Sequence, residues 1–214
     1  MAAGTDQADA DGLSTMSMSK VAASLGVGTM TLYTYVPSKA ELIELMVDQA
    51  LTERDLPGPG DPRPDDWRDQ VRLYADRTQE VYRRHPWLAQ ASSIRPPLGP
   101  GTMYAREYLL SCLRDLGLTA SQLNAAALAI GLFVETTTRL EADSNELERT
   151  TGQSNDAWWG EQQIFWEKYF DMDRHPTMVE VWNAGGFEDS TAAYDFGFDR
   201  LLDGIQALID NNSP

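Results

Sequence analysis

The stretch at residues 56–64, LPGPGDPRP, is the feature that most limits how this chain of 214 residues can fold. Four of its nine residues are prolines, which lack an amide donor, and two are glycines, which favour turns, so a helix cannot continue through it. We therefore predict a connection at 56–65 between an N-terminal domain at 1–55 and a larger C-terminal domain at 66–211. Further breaks are predicted at 95–101, at about 150–155 and at 183–186.

Between these breaks the apolar residues recur at the spacing of amphipathic helices. The final stripe consists of Tyr194, Phe198, Leu201, Leu202, Ile205, Leu208 and Ile209. Ser38 and Thr119 each open an S/T-x-x-E/Q capping box, which marks the start of a helix. No segment shows strand alternation bounded by hairpin turns. The sequence predicts an all-α fold.

Composition and short patterns narrow the class of protein. The one cysteine, Cys112, cannot form an internal disulfide, and no Cys/His group has zinc spacing, so we expect a cytoplasmic protein without a metal. No secretory signal or apolar membrane span is present in the sequence. The patterns G-x-S-x-G, H-E-x-x-H, G-x-G-x-x-G and the P-loop are missing too, so neither an enzyme nor a cofactor is expected.

Residues 17–36 have the pattern of a helix-turn-helix. Ala22 supplies a small residue where two helices cross, and Gly26, four residues later, suits the left-handed conformation of the turn. The apolar residues expected to share a core are Val21, Leu25, Val27 and Leu32. Those expected to face outward from the second helix are Met30, Thr31, Tyr33 and Thr34. In such motifs the second helix enters the major groove of DNA.

The tract VAASLGVGTMTLYTYVPSKAELIELMVD resembles the TetR family of transcriptional regulators, and its branch that contains the tetracycline repressor. Trp67, the segment RHPWL at 84–88 and the segment FGFDRLLDGI at 196–205 extend the resemblance into the C-terminal part. The resemblance implies an N-terminal helix-turn-helix domain of three helices. It also implies a C-terminal helical domain for ligand sensing and dimerisation.

The resemblance also implies a set of DNA-contacting residues. Ser17 and Ser19 match positions near phosphate or a base edge, and Lys39 matches a phosphate anchor. The start of the recognition helix comprises Gly28, Thr29, Met30 and Thr31, of which the threonines suit base edges and the methionine suits a thymine methyl group. Tyr33 and Tyr35 would reach phosphate, with packing in the core as the alternative for both.

Charge argues against DNA binding if it is taken alone. The chain has a net charge of -16, and residues 1–55 hold three basic against eight acidic residues, a local net of about -5. Family members usually have a longer first helix and often a basic arm. We therefore expect that the first helix is truncated and that N-terminal residues are missing. The alternative is binding through a few donors and helix termini.

In the C-terminal part, the helices from Thr119 and from about Ser190 are predicted to form a homodimer interface. Aromatic and polar residues on the middle helices are candidates for contacts with a small hydrophobic or planar inducer, with ordinary core packing as the alternative for each. They are His85, Trp87, Met103, Tyr104, Tyr108, Phe133, Glu135, Thr138, Trp166, Tyr169 and Phe170.

These features together predict a repressor that binds palindromic operator DNA as a homodimer and is released by a small molecule. Because prolines limit slack at 57–64, movement of the helix that starts near Asp66 is expected to displace the helix that ends near Leu51. A dimeric helical adaptor and a constitutive DNA binder without an inducer are the alternatives.

Overall fold

A computed structural model describes residues 1–91, 98–187 and 192–212, and all of its regular elements are helices. They are α1 Ala2–Asp11, α2 Met18–Ser24, α3 Thr29–Tyr35, α4 Lys39–Thr52, α5 Trp67–Arg84, a 3₁₀-helix Pro86–Leu88, α6 Pro100–Leu113, α7 Ala120–Thr151, α8 Asn155–Gly160, α9 Gln163–Tyr169, α10 Pro176–Asn183 and α11 Ala192–Asn212. The all-α prediction is confirmed. Within these residues no helix is both long enough and apolar enough to cross a membrane.

Three of the predicted breaks coincide with helix ends, and the break at 95–101 extends two residues too far, because α6 already begins at Pro100. Residues 53–66 hold no helix, α7 ends just before a left-handed Gly152, and α10 ends at Asn183. Residues 95–97 of one predicted break, and the predicted helix start at Ser190, lie outside the described residues. The capping box at Thr119 forms both of its hydrogen bonds with Gln122, which fixes the start of the long helix α7.

Helices α2 and α3 form the helix-turn-helix that the sequence predicts. Gly26 has φ 68°, and Ala22 is buried where its carbonyl accepts the amide of Val27 at 3.0 Å. The prediction of a shared core was wrong for two of its four residues, because Leu25 and Val27 are 52% and 41% exposed. They flank Gly26, whose left-handed backbone reverses the chain, so their side chains project from the turn.

The core of the first four helices does not end with them. Leu42 and Met46 of α4 pack in one buried cluster with residues of α2 and α3, and this cluster continues into Val81 of α5 and Trp87 and Leu88 of the 3₁₀-helix. The N-terminal helices therefore rest on the far end of α5 through apolar packing.

A second buried cluster joins α5, α6, α7 and α11. The connection is anchored to it, since Leu56 is 5% exposed within this cluster and its carbonyl accepts a hydrogen bond from the Tyr104 hydroxyl at 3.1 Å. Gln70 similarly donates its side-chain amide to the carbonyl of Pro64 at 2.7 Å. The proline-rich segment is therefore held against the helices at both of its ends.

Direct contact between α4 and α6 links the two parts of the chain. The buried carboxylate of Asp48 accepts the amides of Gly101 and Thr102 at 3.2 and 3.0 Å, in the first turn of α6. A helix start offers free amide donors and a partial positive charge, so a carboxylate is stabilised there. A Cβ atom at residue 101 would overlap the backbone oxygen of Asp48. Glycine at this position lets the two helices approach closely enough for the bonds to form.

Candidate DNA-binding and ligand-binding sites

The outer face of α3 presents side chains that have no role in the core. Met30 and Tyr35 are 79% and 80% exposed, and Tyr33 is 40% exposed. Thr31 and Gly28 are also exposed, and Thr29 is half-buried. The alternative of core packing for the two tyrosines is therefore wrong. This face leaves hydroxyl and thioether groups free for a partner.

The start of α2 uses one of the predicted residues as its cap. The hydroxyl of Ser17 accepts the amide of Lys20 at 3.3 Å and lies 3.1 Å from the hydroxyl of Ser19. Ser19 and Lys20 are exposed beside it. Two hydroxyls thus lie together at this helix start, next to a lysine in the sequence.

Lys39 ties the start of α4 to the turn before α2. Its ammonium group donates to the carbonyls of Leu13 and Met16 at 3.3 and 2.7 Å. An ammonium group has three N–H donors, so one donor remains for another acceptor. The predicted phosphate contact is compatible with this geometry and remains a prediction.

The charge of the N-terminal part is unevenly distributed. Residues 12–40, which comprise the helix-turn-helix and the turns on either side of it, contain Lys20 and Lys39 and no acidic residue, so this segment has a net charge of about +2. Of the acidic residues on either side, Asp48 caps α6, while Asp9 and Glu53 both contact His85. A charge count over the motif alone would have found this, and the count over residues 1–55 concealed it.

His85 and Trp87, predicted as ligand contacts, lie instead where α1, α4 and α5 meet. The His85 ring nitrogens Nδ1 and Nε2 lie 2.8 Å from Asp9 and 3.1 Å from Glu53, and the Trp87 indole donates to Asp9 at 2.8 Å. Both ring nitrogens of His85 thus face carboxylate oxygens. This network fastens the first helix to the rest of the chain.

Arg84 adds a second donor to Glu53, at 2.7 Å. Desolvation acts to raise the pKa of Glu53, but hydrogen bonds from His85 and Arg84, and their charges, outweigh it and lower that pKa. The ionised carboxylate is thereby favoured at this junction.

A cavity of about 410 Å³ lies between α4, α5, α6 and α7. Its volume is in the range of sites for small molecules. Its walls are Val47, Leu51 and Arg54 from α4 and its end, Tyr74, Tyr82, Leu88 and Ala91 from α5 and beyond, Thr102, Ala105, Arg106 and Leu109 from α6, and Ala127, Leu128, Gly131, Leu132, Glu135, Thr136 and Arg139 from α7. Glu135 is the member of the predicted ligand set that lines it.

A buried arginine contributes to the polar part of this cavity. Arg54 is 2% exposed, donates to Glu135 at 3.0 Å and lies over the ring of Tyr74. The hydroxyl of Tyr74 donates to the same carboxylate oxygen at 3.1 Å. Burial, with Glu135 beside it, raises the pKa of Tyr74, so the phenol remains a donor. Arg54 was not predicted as a site residue, because the sequence shows its charge but not its burial beside Glu135.

The other predicted ligand residues are scattered. Met103 is exposed on α6. Tyr104 and Tyr108 line a second cavity, of about 120 Å³, beside residues 57–60. Thr138 lines a third cavity, of about 190 Å³. Phe133 packs against Tyr194 and Phe198, and the last three, Trp166, Tyr169 and Phe170, line a groove on α8–α10 with Trp158 and Trp159.

Helix rotation explains why these residues separate. The cavity-lining positions of α6 are 102, 105, 106 and 109, one face at helical spacing. Residues 103, 104 and 108 point elsewhere on the same helix. The predicted ligand residues were chosen mainly for their aromatic rings, and this criterion does not take into account which face of a helix each residue occupies. The spacing of Leu128, Leu132, Glu135 and Arg139 on α7 is the signal that would have found the lining face.

A helix-turn-helix with an exposed second helix, joined to a helical domain that holds a cavity, defines a DNA-binding regulator. Sequence comparison agrees with this class. Residues 1–46 match the family "Bacterial regulatory proteins, tetR family", and residues 58–209 match the "Tetracyclin repressor-like, C-terminal domain". The chain belongs to the TetR family of bacterial transcriptional regulators.

Individual relatives agree with this assignment. The chain is 39% identical over 202 residues to the HTH-type transcriptional repressor DrrR1 of Streptomyces coeruleorubidus, a match that covers 94% of this chain and 74% of that protein. Apo ActR from Streptomyces coelicolor has a similar fold, with a TM-score of 0.77 at 24% identity over 97% of this chain and 95% of that chain. The structure of ActR in complex with actinorhodin has a TM-score of 0.76, also at 24% sequence identity, over 96% of this chain and 92% of that chain. Family membership confirms that the chain is a regulator and not an enzyme.

The His85 network gives a test of the junction, because the chain has a second His-Pro pair. Replacing His85 with Gln removes the ring's contacts with two carboxylates, and we expect a loss of about 1–3 kcal/mol in the free energy of unfolding. His175→Gln is the control, since His175 is exposed and contacts a backbone carbonyl of its own turn. Its effect should stay within about 0.5 kcal/mol. Equal effects in urea denaturation would contradict this role of His85.

Proposed function

We propose that the chain is a repressor that binds palindromic operator DNA as a homodimer and is released when a small hydrophobic or planar molecule enters the cavity between α4 and α7. The observation that carries this proposal is that Val47 and Leu51 of α4 line the cavity. The same helix packs through Leu42 and Met46 on the helix-turn-helix. A ligand in the cavity therefore touches the helix that supports the recognition helix.

On the DNA side, the exposed face of α3 is proposed to enter the major groove. Thr29 and Thr31 would contact base edges, and Met30 would contact a thymine methyl group. The proposed phosphate contacts are Ser17, Ser19, Tyr33, Tyr35 and Lys39, with the backbone of Gly28 close to the DNA. The exposure of α3 and the local charge of about +2 support this assignment.

Lys39 and Lys168 provide a matched pair of variants for the DNA contact. Lys39→Ala should weaken binding to every duplex and reduce the magnitude of the salt slope by about one, because one phosphate contact is lost. Lys168→Ala, on α9, should change neither quantity. Operators selected from random duplexes are titrated at several salt concentrations. A loss of thermal stability without a change of salt slope would show that Lys39 only fastens the turn at Leu13 and Met16.

The homodimer is supported by apolar side chains that the chain itself leaves uncovered. Leu140 and Leu147 of α7 are 61% and 62% exposed, and Phe196 of α11 is 65% exposed. Ile205 of α11 is unsuitable for a test of assembly, since it is buried in the chain's own core. A charge at that position would unfold the protomer before it revealed anything about assembly.

Ala207 is a better position for testing the dimer, because it is exposed on α11. A glutamate there is harmless in a monomer and places a buried charge in an interface. We expect Ala207→Glu to sediment as a folded monomer, whereas the unmodified chain and the control Ala10→Glu on the exposed side of α1 sediment as dimers at micromolar concentration. A monomeric unmodified chain would contradict the proposal.

The coupling between ligand and DNA is proposed to run through α4. The sequence suggested a route through the prolines at 57–64. The contacts of Val47 and Leu51 with the cavity, and of Asp48 with Thr102 at the cavity wall, support a more direct one. A ligand that pushes α4 away from α6 has to change the position of α3, because α4 shares its core.

Reciprocity gives the test of this coupling. If an inducer prefers the DNA-free arrangement 100-fold, about 2.7 kcal/mol, operator DNA must weaken inducer binding by the same factor. Compounds found by thermal shift are titrated by calorimetry with operator, with a scrambled duplex and without DNA. Equal affinity in all three for every bound compound would favour a constitutive DNA binder. Failure to select any duplex would favour a dimeric adaptor.

A further inference from the structure

The charge of the cavity between α4, α5, α6 and α7 is opposite to that of the chain. Among the described residues, Arg54, Arg106 and Arg139 line it together with one carboxylate, Glu135, so this part of its walls has a net charge of about +2. The whole chain has a net charge of -16, with 33 acidic residues against 17 basic ones. Acidic partners for arginine are thus abundant in this sequence. The positive charge of the cavity therefore comes from the particular residues in its walls and not from the overall composition of the chain.

The excess charge belongs to Arg106 and Arg139. Glu135 is already bound by Arg54, so this pair is close to neutral. Arg106 donates to the carbonyl and side-chain oxygens of Asn124, which carry no charge. Arg139 forms no hydrogen bond or ion pair with any residue in the described ranges 1–91, 98–187 and 192–212. Both side chains are half-buried.

Arg54 provides a second, independent observation, which is that hydrogen-bond donors in the cavity wall lack acceptors. Its Nε and Nη1 atoms are buried and have no hydrogen-bond partner among the described residues. Buried donors without partners are rare and destabilise a protein, so such groups call for an explanation. A guanidinium is planar and presents its donors in a fork that matches a carboxylate. The cavity therefore offers more donors for an anion than the protein itself uses.

The remaining walls restrict what kind of anion fits. Leu51, Leu109, Leu128 and Leu132 supply apolar surface, and Tyr82 supplies a ring. A small inorganic anion would leave this surface unfilled. The volume of about 410 Å³ suits a body of about two or three fused rings.

We infer that the cavity selects an amphipathic anion, with an apolar ring system and a carboxylate held by Arg106 and Arg139. This inference deepens the proposed function, because it names the chemical class of the inducer, and it rests on that function for the role of the cavity. Binding pairs the two arginines with the charge that the protein does not supply. Release of operator DNA follows from the contact of the same ring system with Leu51 of α4.

The test compares acids with amides of the same shape. The probes are 2-naphthoate, 2-anthroate and anthraquinone-2-carboxylate, each with its neutral carboxamide, titrated into the full chain by calorimetry at two salt concentrations. We expect at least one acid to bind 10-fold or more tightly than its amide, and the ratio to fall at high salt. Equal or tighter binding of every amide, or no binding of any acid, would overturn the inference.

Variants identify the residues responsible. Arg139→Met keeps the aliphatic stem and should bring the ratio of acid to amide affinity close to one, and Arg106→Met should act likewise. Arg149→Met is the control, since Arg149 is exposed near the C-terminal end of α7 and lies outside this cavity. This variant should leave the ratio unchanged. Arg54 is avoided, because its loss would strand Glu135 and is expected to disturb folding. A ratio that persists in both cavity variants would overturn the inference.

The outcome is separable from that of the proposed function. If only neutral amides bind and release the operator, the chain is a ligand-responsive repressor and the inference about anions fails. If acids bind through Arg106 and Arg139 but never weaken operator binding, the inference stands and the proposed release fails.

Discussion

The packing of α4 against α6 is the constraint on which the rest of the molecule depends. It requires a buried carboxylate at Asp48, free amides at the start of α6 and a glycine at residue 101. The contact forms only when all three are present. The contact holds the helix-turn-helix at a fixed position over the C-terminal helices. It also forms the edge of the cavity, where Thr102 lines the wall. Support of DNA recognition and enclosure of a ligand therefore use the same few residues.

The sorting of charge follows from this arrangement. An acidic chain can approach DNA only if its carboxylates are used or kept elsewhere. Asp9, Asp48 and Glu53 are engaged in contacts with the C-terminal helices, while residues 12–40 contain no acidic side chain. In the cavity the sorting is reversed, since Arg106 and Arg139 have no carboxylate partner among the residues that the structure describes, although acidic residues are in surplus. Net charge alone therefore describes neither site.

The helices α8–α10 show a different use of apolar residues. Trp158, Trp159 and Phe165 are each more than 40% exposed and contact one another or Trp166. Leu140 and Leu147 of α7 are exposed as well. Exposed apolar side chains that cluster in this way are typical of an interaction site.

The sequence by itself determined the helices, their breaks and the helix-turn-helix, because these depend on local chemistry. Proline lacks a donor, Gly26 accepts a left-handed backbone, and Thr119 caps its own helix. It also determined the family, through the tract around residues 21–48. Only the tertiary structure decided which side of each helix meets the cavity, why His85 belongs to a junction, and that Arg54 is buried beside Glu135. These contacts join residues 32 to 81 positions apart, and their geometry depends on helix rotation and packing that no local pattern encodes.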